Sequence, residues 1–136
     1  MKVSELINEV YNGSIVLPDF QRSFIWEPED VKELLVSVLG GYFIGSMLLM
    51  EFSGDKSEFP FATRFIEGVE EINPDVKKQP QRTVKILLDG QQRTTALFYA
   101  LYEPDIPLKN RKGSYKFYLN LNKKVLNKKT RSGIVQ

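Results

Sequence analysis

The most chemically distinctive segment of the chain is Asp89-Gly90-Gln91-Gln92-Arg93, which directly follows an apolar run. The run predicts a buried strand, and the residues after the glycine predict a helix. Gly90 permits a tight turn and lets a ligand approach the backbone closely. The N–H groups of the first helical turn and the helix dipole make such a turn an anion site. Since the guanidinium of Arg93 fits phosphate oxygens, the turn predicts contact with a nucleotide phosphate.

The side chains of this turn match the roles that phosphate chemistry needs. Asp89 could hold Mg²⁺ through water, because that ion prefers oxygen ligands. Gln91 or Gln92 could orient an attacking water, and Thr94 adds a hydroxyl. The predicted catalytic residues are Asp89, Gln91, Gln92 and Arg93, with Asp89 as the metal ligand and Gly90, Arg93 and Thr94 as nucleotide contacts.

A structural interpretation of the same turn stays open. Asp89 could be the N-cap of the helix, Gly90 an ordinary turn glycine, and Arg93 the partner of an acid. Against this, three long polar side chains stand in a row beside a strongly apolar strand. Such crowding is hard to explain as solvated surface and favours a functional role.

A second polar cluster lies much earlier in the chain and has the same Gln-Arg order, here Gln21-Arg22. Arg22 could hold a phosphate while Trp26 or Phe24 stacks on a base. For the aromatic residues Phe20, Phe24 and Trp26 a place in the core is the favoured interpretation. For Gln21 and Arg22 nucleotide binding is favoured.

Composition narrows the chemistry. The chain has no Cys and no His, which excludes a zinc finger, a thiol nucleophile, a Ser-His-Asp triad and a His-dependent nuclease centre within it. No apolar run approaches the roughly 20 residues of a membrane helix, and the N-terminus lacks signal-peptide architecture. Since the absence of Cys fits a reducing compartment, we expect a cytoplasmic protein with no membrane partner.

The net charge of +2 conceals two oppositely charged regions. Residues 1–105 hold all 17 acids and 10 bases, a charge of −7, whereas the tail from residue 106 holds nine bases and no acid. A basic tail interleaved with Tyr115, Phe117 and Tyr118 predicts contact with a nucleic-acid backbone. A solvated strand whose acidic partners lie elsewhere in the fold is an equally good interpretation.

The elements around these motifs follow from periodicity, caps and breakers. Helices are predicted at 4–11 with Ser4 as N-cap, at 28–39 and at 91–102, and strands at 14–17, 42–52, 83–88 and 115–121. The strand 42–52, with an interruption at Gly45-Ser46, is apolar enough to be central in a sheet. Residues 53–82 indicate an irregular insertion with one short helix at most. The segment 125–136 shows no core face, which indicates disorder or, as we prefer, a chain that continues into a further domain.

The two motifs together resemble the N-terminal domain of GmrSD restriction endonucleases, a family related to the ParB/sulfiredoxin fold. The segments that carry the resemblance are Pro18-Asp19-Phe20-Gln21-Arg22, with Phe24 and Trp26 after it, and Leu88-Asp89-Gly90-Gln91-Gln92-Arg93-Thr94-Thr95-Ala96-Leu97. The stretch 41–46 between them is also similar. The resemblance covers residues 4–102, and the second motif is highly specific in a strand-to-helix setting.

The resemblance implies an α+β domain with a ParB/sulfiredoxin-like fold over residues 1–122, a small mixed sheet flanked by helices, followed by the basic segment 123–136. It implies that the turn binds, and in several relatives hydrolyses, nucleoside triphosphates, and so regulates DNA cleavage in bacterial restriction and phage defence. It nominates residues 89–93 together with Gln21 and Arg22. GTP, CTP and UTP fit equally. Nuclease chemistry would belong to a further domain or subunit, because the family's HNH-type centre needs His.

Two other functions fit the same residues. Arg22, Arg93 and the basic tail could all contact the backbone of DNA in a binding module without nucleotide chemistry. A direct ParB-like DNA nickase is the third candidate, but Asp89 alone would supply too few ligands for a catalytic metal ion. A regulatory NTP-binding domain therefore leads.

Overall fold

The computed structural model describes residues 2–41, 45–54, 61–78, 83–120, 125–130 and 133–135. Its helices are α1 (Val3–Tyr11), α2 (Pro28–Leu39), α3 (Val69–Ile72) and α4 (Gln91–Tyr102), with a 3₁₀ helix at Pro74–Lys78. Its strands are β1 (Ile15–Pro18), β2 (Leu48–Ser53), β3 (Thr63–Phe65), β4 (Thr83–Asp89), β5 (Tyr115–Asn120), β6 (Val125–Thr130) and β7 (Gly133–Val135). Helices around a small mixed sheet confirm the predicted α+β class.

A four-stranded sheet in the order β2-β4-β1-β3 positions both polar motifs. Its two middle strands, β1 and β4, are parallel, with Ile15 opposite Lys85 and Val16 opposite Ile86. The outer strands β2 and β3 pair antiparallel with them. Because parallel strands end at the same edge of a sheet, the residues that follow β1 meet the residues that follow β4. The sheet thereby joins two motifs that are far apart in sequence.

Helix α4 is the centre of the core. Its residues from Thr94 to Tyr99 are all buried, which is typical of a helix enclosed by other elements on all sides. The Tyr99 hydroxyl donates a hydrogen bond to the Ile106 carbonyl (2.7 Å) and accepts one from the Tyr115 N–H (2.9 Å). Burial raises the pKa of Tyr99. The hydroxyl thus ties α4 to the start of β5.

Helix α1 begins one residue earlier than predicted. Lys2 is its N-cap residue, and the Lys2 N–H donates to Glu5 Oε2 at 3.1 Å, so Ser4 is not the cap. The helix is fixed to the central strand by an ion pair between Glu9 Oε1 and Lys85 Nζ at 2.8 Å. The hydrogen bond from this pairing raises the pKa of Lys85.

The strand predicted at 42–52 is shorter and differently placed. Only Leu48–Ser53 is extended, and β2 lies at an edge of the sheet instead of its centre. Residues 42–44 lie outside the described part of the chain. The φ angle of +102° takes Gly45 out of the extended region, which agrees with the predicted interruption at that residue. The predicted central position is wrong, because apolar composition alone does not distinguish an edge strand from a central one.

The region interpreted as an irregular insertion contributes to the core. Its strand β3 pairs with β1, and Ile66, Val69 and Val76 are buried. Residues 55–60 and 79–82 lie outside the description. A three-residue strand with half-buried side chains shows no alternation, so no periodic pattern could predict it.

The chain after residue 121 also departs from prediction. The sequence predicts no element there, yet β6 and β7 continue from β5 as a three-stranded antiparallel meander.

Across the described residues, no helix has the length and apolar character to cross a bilayer.

Candidate functional site

An open cleft of about 560 Å³ lies where β4 ends and α4 begins, with the α2 helix as its other wall. Its lining residues are Gln21, Arg22, Trp26, Asp30, Glu33, Leu34, Ser37, Leu88, Asp89, Gly90, Gln91, Gln92 and Arg93. Ligands of open α/β sheets commonly bind beyond the carboxyl ends of strands, which is the position of this cleft. The fold thus brings both predicted motifs into one concavity. We call residues 21–25 the first-motif loop and residues 89–93 the second-motif turn.

The second-motif turn depends on glycine. Gly90 is the N-cap residue of α4 with a φ of +93°, and the Thr94 N–H donates to its carbonyl at 3.0 Å. A Cβ atom at Gly90 would lie 2.8 Å from Met47 Cγ. Asp89 is instead the last residue of β4 and is exposed, so the interpretation of Asp89 as the N-cap is wrong. The first N–H groups of an α-helix have no carbonyl partner within it, and the residues of the first turn of α4 line the cleft.

The two glutamines of the turn bind the first-motif loop. The Gln91 side-chain amide donates to the Arg22 carbonyl. Gln92 makes two contacts, because its Oε1 accepts from the Ile25 N–H at 3.0 Å and its Nε2 donates to the Ser23 carbonyl at 3.2 Å. Both side chains therefore connect the two motifs through the loop backbone. A water-orienting role for either amide stays a prediction.

The glutamine of the first motif makes the reciprocal contact. Gln21 Nε2 donates to the Leu88 carbonyl at 3.1 Å, at the end of β4. Each motif thus uses glutamine side chains to hold the backbone of the other. These contacts explain why a glutamine precedes the arginine in both motifs.

The two arginines are held to different degrees. Arg93 Nη2 donates to the Ser46 carbonyl at 2.6 Å, and the side chain is half-buried. Gly45 makes room for this guanidinium, since a Cβ atom added at Gly45 would overlap it. Arg22 is exposed, and its backbone carbonyl accepts hydrogen bonds from Arg64 Nη2 and from the Gln91 amide. Arg93 is pre-positioned, whereas the Arg22 side chain extends from a fixed backbone.

The other predicted contacts separate into two groups. Thr94 is fully buried, and its hydroxyl lies 3.5 Å from Met47 Sδ, so it faces the core and does not line the cleft. Trp26 lines the cleft while packing against the core, and Phe24 packs against the core with its ring 6.3 Å from that of Tyr99. Phe20 is 73% exposed, so its predicted place in the core is wrong.

The α2 helix supplies charges that the sequence motifs did not indicate. Asp30, Glu33 and Ser37 all line the cleft, at a spacing that places them on one helical face. The only available signal was this spacing opposite the apolar face of α2. Asp30 also caps its own helix, because its Oδ2 accepts from the Glu27 N–H at 2.9 Å. The cleft therefore combines two guanidinium groups with three carboxylates, the third being that of Asp89.

The carboxylates do not form a ready metal site. Among the residues that the structure describes, no three acidic side chains are grouped closely enough to hold an ion. Asp89 is the exposed carboxylate that the second-motif turn contributes to the cleft. One protein carboxylate suits Mg²⁺ that keeps most of its water, since that ion dehydrates reluctantly.

Comparison with known proteins agrees with the motifs. The chain is 45% identical over 121 residues to the uncharacterized protein MJ0686 of Methanocaldococcus jannaschii. The matched region is 89% of this chain and 20% of that protein, so the chain spans about a fifth of the length of this relative. The family described as GmrSD restriction endonuclease, N-terminal domain, matches residues 3–136. The protein therefore belongs to the family of GmrSD restriction endonuclease N-terminal domains.

Proposed function

We propose that the cleft binds a nucleoside triphosphate and that the domain uses this binding to regulate a DNA restriction or phage-defence system. The observation that carries the proposal is the convergence of Arg22, Arg93 and the N-terminus of α4 on one open cleft. Two guanidinium forks and a helix N-terminus are the donors that phosphate groups select. The cleft volume of about 560 Å³ fits a nucleotide-sized ligand.

The distribution of groups indicates how the nucleotide would lie. The phosphates would contact Arg22, Arg93 and the first amides of α4. Trp26, at another part of the cleft wall, offers an aromatic face for the base. Since the cleft also contains three carboxylates, a triphosphate would bind with Mg²⁺, and Asp89 would hold that ion through water. GTP, CTP and UTP all remain candidates.

Hydrolysis would be slow. The proposed catalytic set is Asp89, Gln91, Gln92 and Arg93, and it contains no strong general base. Both glutamine amides already bind the first-motif loop, which reduces the groups that could orient a water. Binding is therefore the primary activity of this domain. DNA cleavage would be performed by another domain or subunit.

Arg22→Ala is the cleanest test, because the contacts that fix the loop are made by the Arg22 backbone carbonyl and survive the substitution. Titration calorimetry with GTP, CTP and UTP in Mg²⁺ should show a loss of affinity of about 10- to 100-fold, the worth of one charge-assisted hydrogen bond. The matched control is Arg111→Ala, which removes an exposed arginine outside the cleft. An unchanged NTP affinity in a folded Arg22→Ala protein would refute the assignment.

A DNA-binding surface on the basic tail is the second candidate function. Four bases in the described part of the tail are exposed, namely Lys109, Arg111, Lys112 and Lys116. Glu103 Oε2 lies 3.4 Å from Lys116 Nζ and offsets one of these charges. The phosphates of duplex DNA would offset the others.

Salt dependence tests this candidate. The affinity for duplex DNA should fall steeply with added salt, and Lys129→Ala should reduce the slope of log affinity against log salt by about one. Glu70→Ala serves as the control, since it alters an exposed ion pair outside the tail. DNA affinity that is insensitive to both salt and Lys129→Ala would exclude the tail as a DNA-binding surface.

The direct nickase has a separate test. Plasmid nicking in Mg²⁺ that is lost in Asp89→Ala would support it.

A further inference from the structure

The first-motif loop is also held by side chains from outside the second-motif turn. Arg64 Nη2 donates to the Gln21 carbonyl at 2.9 Å and to the Arg22 carbonyl at 3.1 Å. Glu67 Oε1 accepts from the Phe24 N–H at 2.7 Å. These two residues come from the segment that the sequence indicated to be an irregular insertion. Their side chains contact the loop that presents Arg22 to the cleft.

Strand pairing explains how Arg64 reaches this position. In the register of β3 against β1, Arg64 lies opposite Leu17, and Thr63 lies opposite Pro18. The side chain of Arg64 therefore starts beside the end of β1 and extends over the loop that follows it. Glu67 comes three residues later, and its Oε1 is 4.0 Å from Arg64 Nη1. The β1–β3 pairing thus delivers both groups together.

Two sets of side chains therefore hold the loop. The Arg22 carbonyl accepts hydrogen bonds from both Arg64 and the Gln91 amide. Of the N–H groups that follow, that of Phe24 donates to Glu67 and that of Ile25 donates to Gln92. A loop with its peptide groups occupied in this way has little conformational freedom left. The position of the Arg22 Cα atom is therefore fixed before any ligand arrives.

We infer that Arg64 and Glu67 are positioning residues that pre-organise Arg22 for phosphate binding, an inference that rests on the proposed function. Ordering a flexible loop costs affinity, and a clamp that orders the loop beforehand removes that cost from binding. The charge of Arg64 is also offset by Glu67. Arg22 and Arg93 are then the guanidinium groups offered to the phosphates.

A double-mutant cycle distinguishes this role from a general structural one. If Arg64 acts through Arg22, Arg64→Ala should weaken GTP binding about tenfold in the otherwise native domain, roughly one hydrogen bond's effect. The same substitution should change affinity by less than about twofold in an Arg22→Ala background, because the group that it positions is absent. Lys77→Ala, which breaks an exposed ion pair with Glu70, is the matched control.

Amide exchange measured by NMR gives a readout that needs no nucleotide. Glu67→Ala should speed exchange of the Phe24 N–H at least tenfold, while Glu67→Gln, which retains an acceptor oxygen, should restore both the protection and the GTP affinity. Additive losses in the cycle, or unchanged Phe24 exchange in Glu67→Ala, would overturn the clamp. A native domain that binds none of GTP, CTP, UTP or inorganic triphosphate, with Phe24 still protected by Glu67, would overturn the proposed function instead.

Discussion

The two Gln-Arg pairs of the cleft have the same order but lie in different settings. Gln21-Arg22 is in a loop after a strand, whereas Gln92-Arg93 is in the first turn of a buried helix. The Gln21 side chain makes one hydrogen bond, to Leu88, while the Gln92 side chain makes two, to Ser23 and Ile25. Arg22 is exposed, and Arg93 is half-buried against the Ser46 carbonyl.

The difference between the two pairs indicates that the glutamines assemble the cleft and that the arginines are suited to bind an anionic ligand. The amide of glutamine can both donate and accept, so it suits a contact with backbone groups of either kind. The guanidinium only donates and stays charged, so it suits an anionic ligand. In this cleft the glutamines join the two motifs and the arginines line the proposed nucleotide site. The helical pair carries the larger structural role, whereas in the loop pair the exposed Arg22 side chain can adjust to a ligand while its backbone stays fixed.

Gln92→Ala should have the largest effect on stability. The substitution removes a partly buried contact with Ile25 and an exposed contact with Ser23, so we expect the free energy of unfolding to fall by about 2 kcal/mol. Gln21→Ala removes one partly buried contact and should cost about 1 kcal/mol. Urea denaturation of both variants measures the two losses in the free energy of unfolding. Equal costs would show that the two glutamines are equivalent and would break the comparison.

Gly45→Ala should act on the helical arginine alone. The φ of +102° at Gly45 disfavours alanine by about 1 to 2 kcal/mol, and the new methyl group would displace the Arg93 guanidinium. NTP affinity should therefore fall as far as in Arg93→Ala. Gly113→Ala is the control, because a Cβ atom there meets no atom within 4 Å. Retained affinity in Gly45→Ala, measured by calorimetry, would show that the position of Arg93 does not matter.

Asp89→Asn should give the smallest effect, and its sign should depend on the metal. Without Mg²⁺ the exposed carboxylate repels a triphosphate, so Asp89→Asn should tighten binding about two- to fivefold. With Mg²⁺ the substitution removes an ion contact and should weaken binding by a similar factor. Calorimetry in EDTA and in Mg²⁺ measures both values. The same sign in both buffers would remove Asp89 from metal binding and leave the two arginines as the ligand contacts.

The sequence predicted the parts of the site that are local. The strand, the glycine turn and the helix at 83–102 follow from an apolar run, one Gly and a helical pattern, and the structure contains all three. The positions of the glutamine amides depend on contacts between distant residues, so no local pattern could indicate them. The acidic residues Asp30 and Glu33 line the cleft because of where α2 packs, and no local pattern indicates that contact either. Arg64 and Glu67 were missed because β3 is too short to produce a periodic pattern.

The glutamine contacts join residues that are far apart in sequence, so they depend on the order in which the protein folds. The hydrogen bonds from Gln91 and Gln92 join residues 67 to 69 positions apart. The length-dependent entropy of closing such a loop is about 4 kcal/mol, and contacts of this separation form late in folding. During translation, the first-motif loop would therefore stay unanchored on this side until β4 and α4 have left the ribosome. Substitutions that weaken α4 would then abolish the site through failed assembly of the chain, even where every ligand-facing side chain is intact.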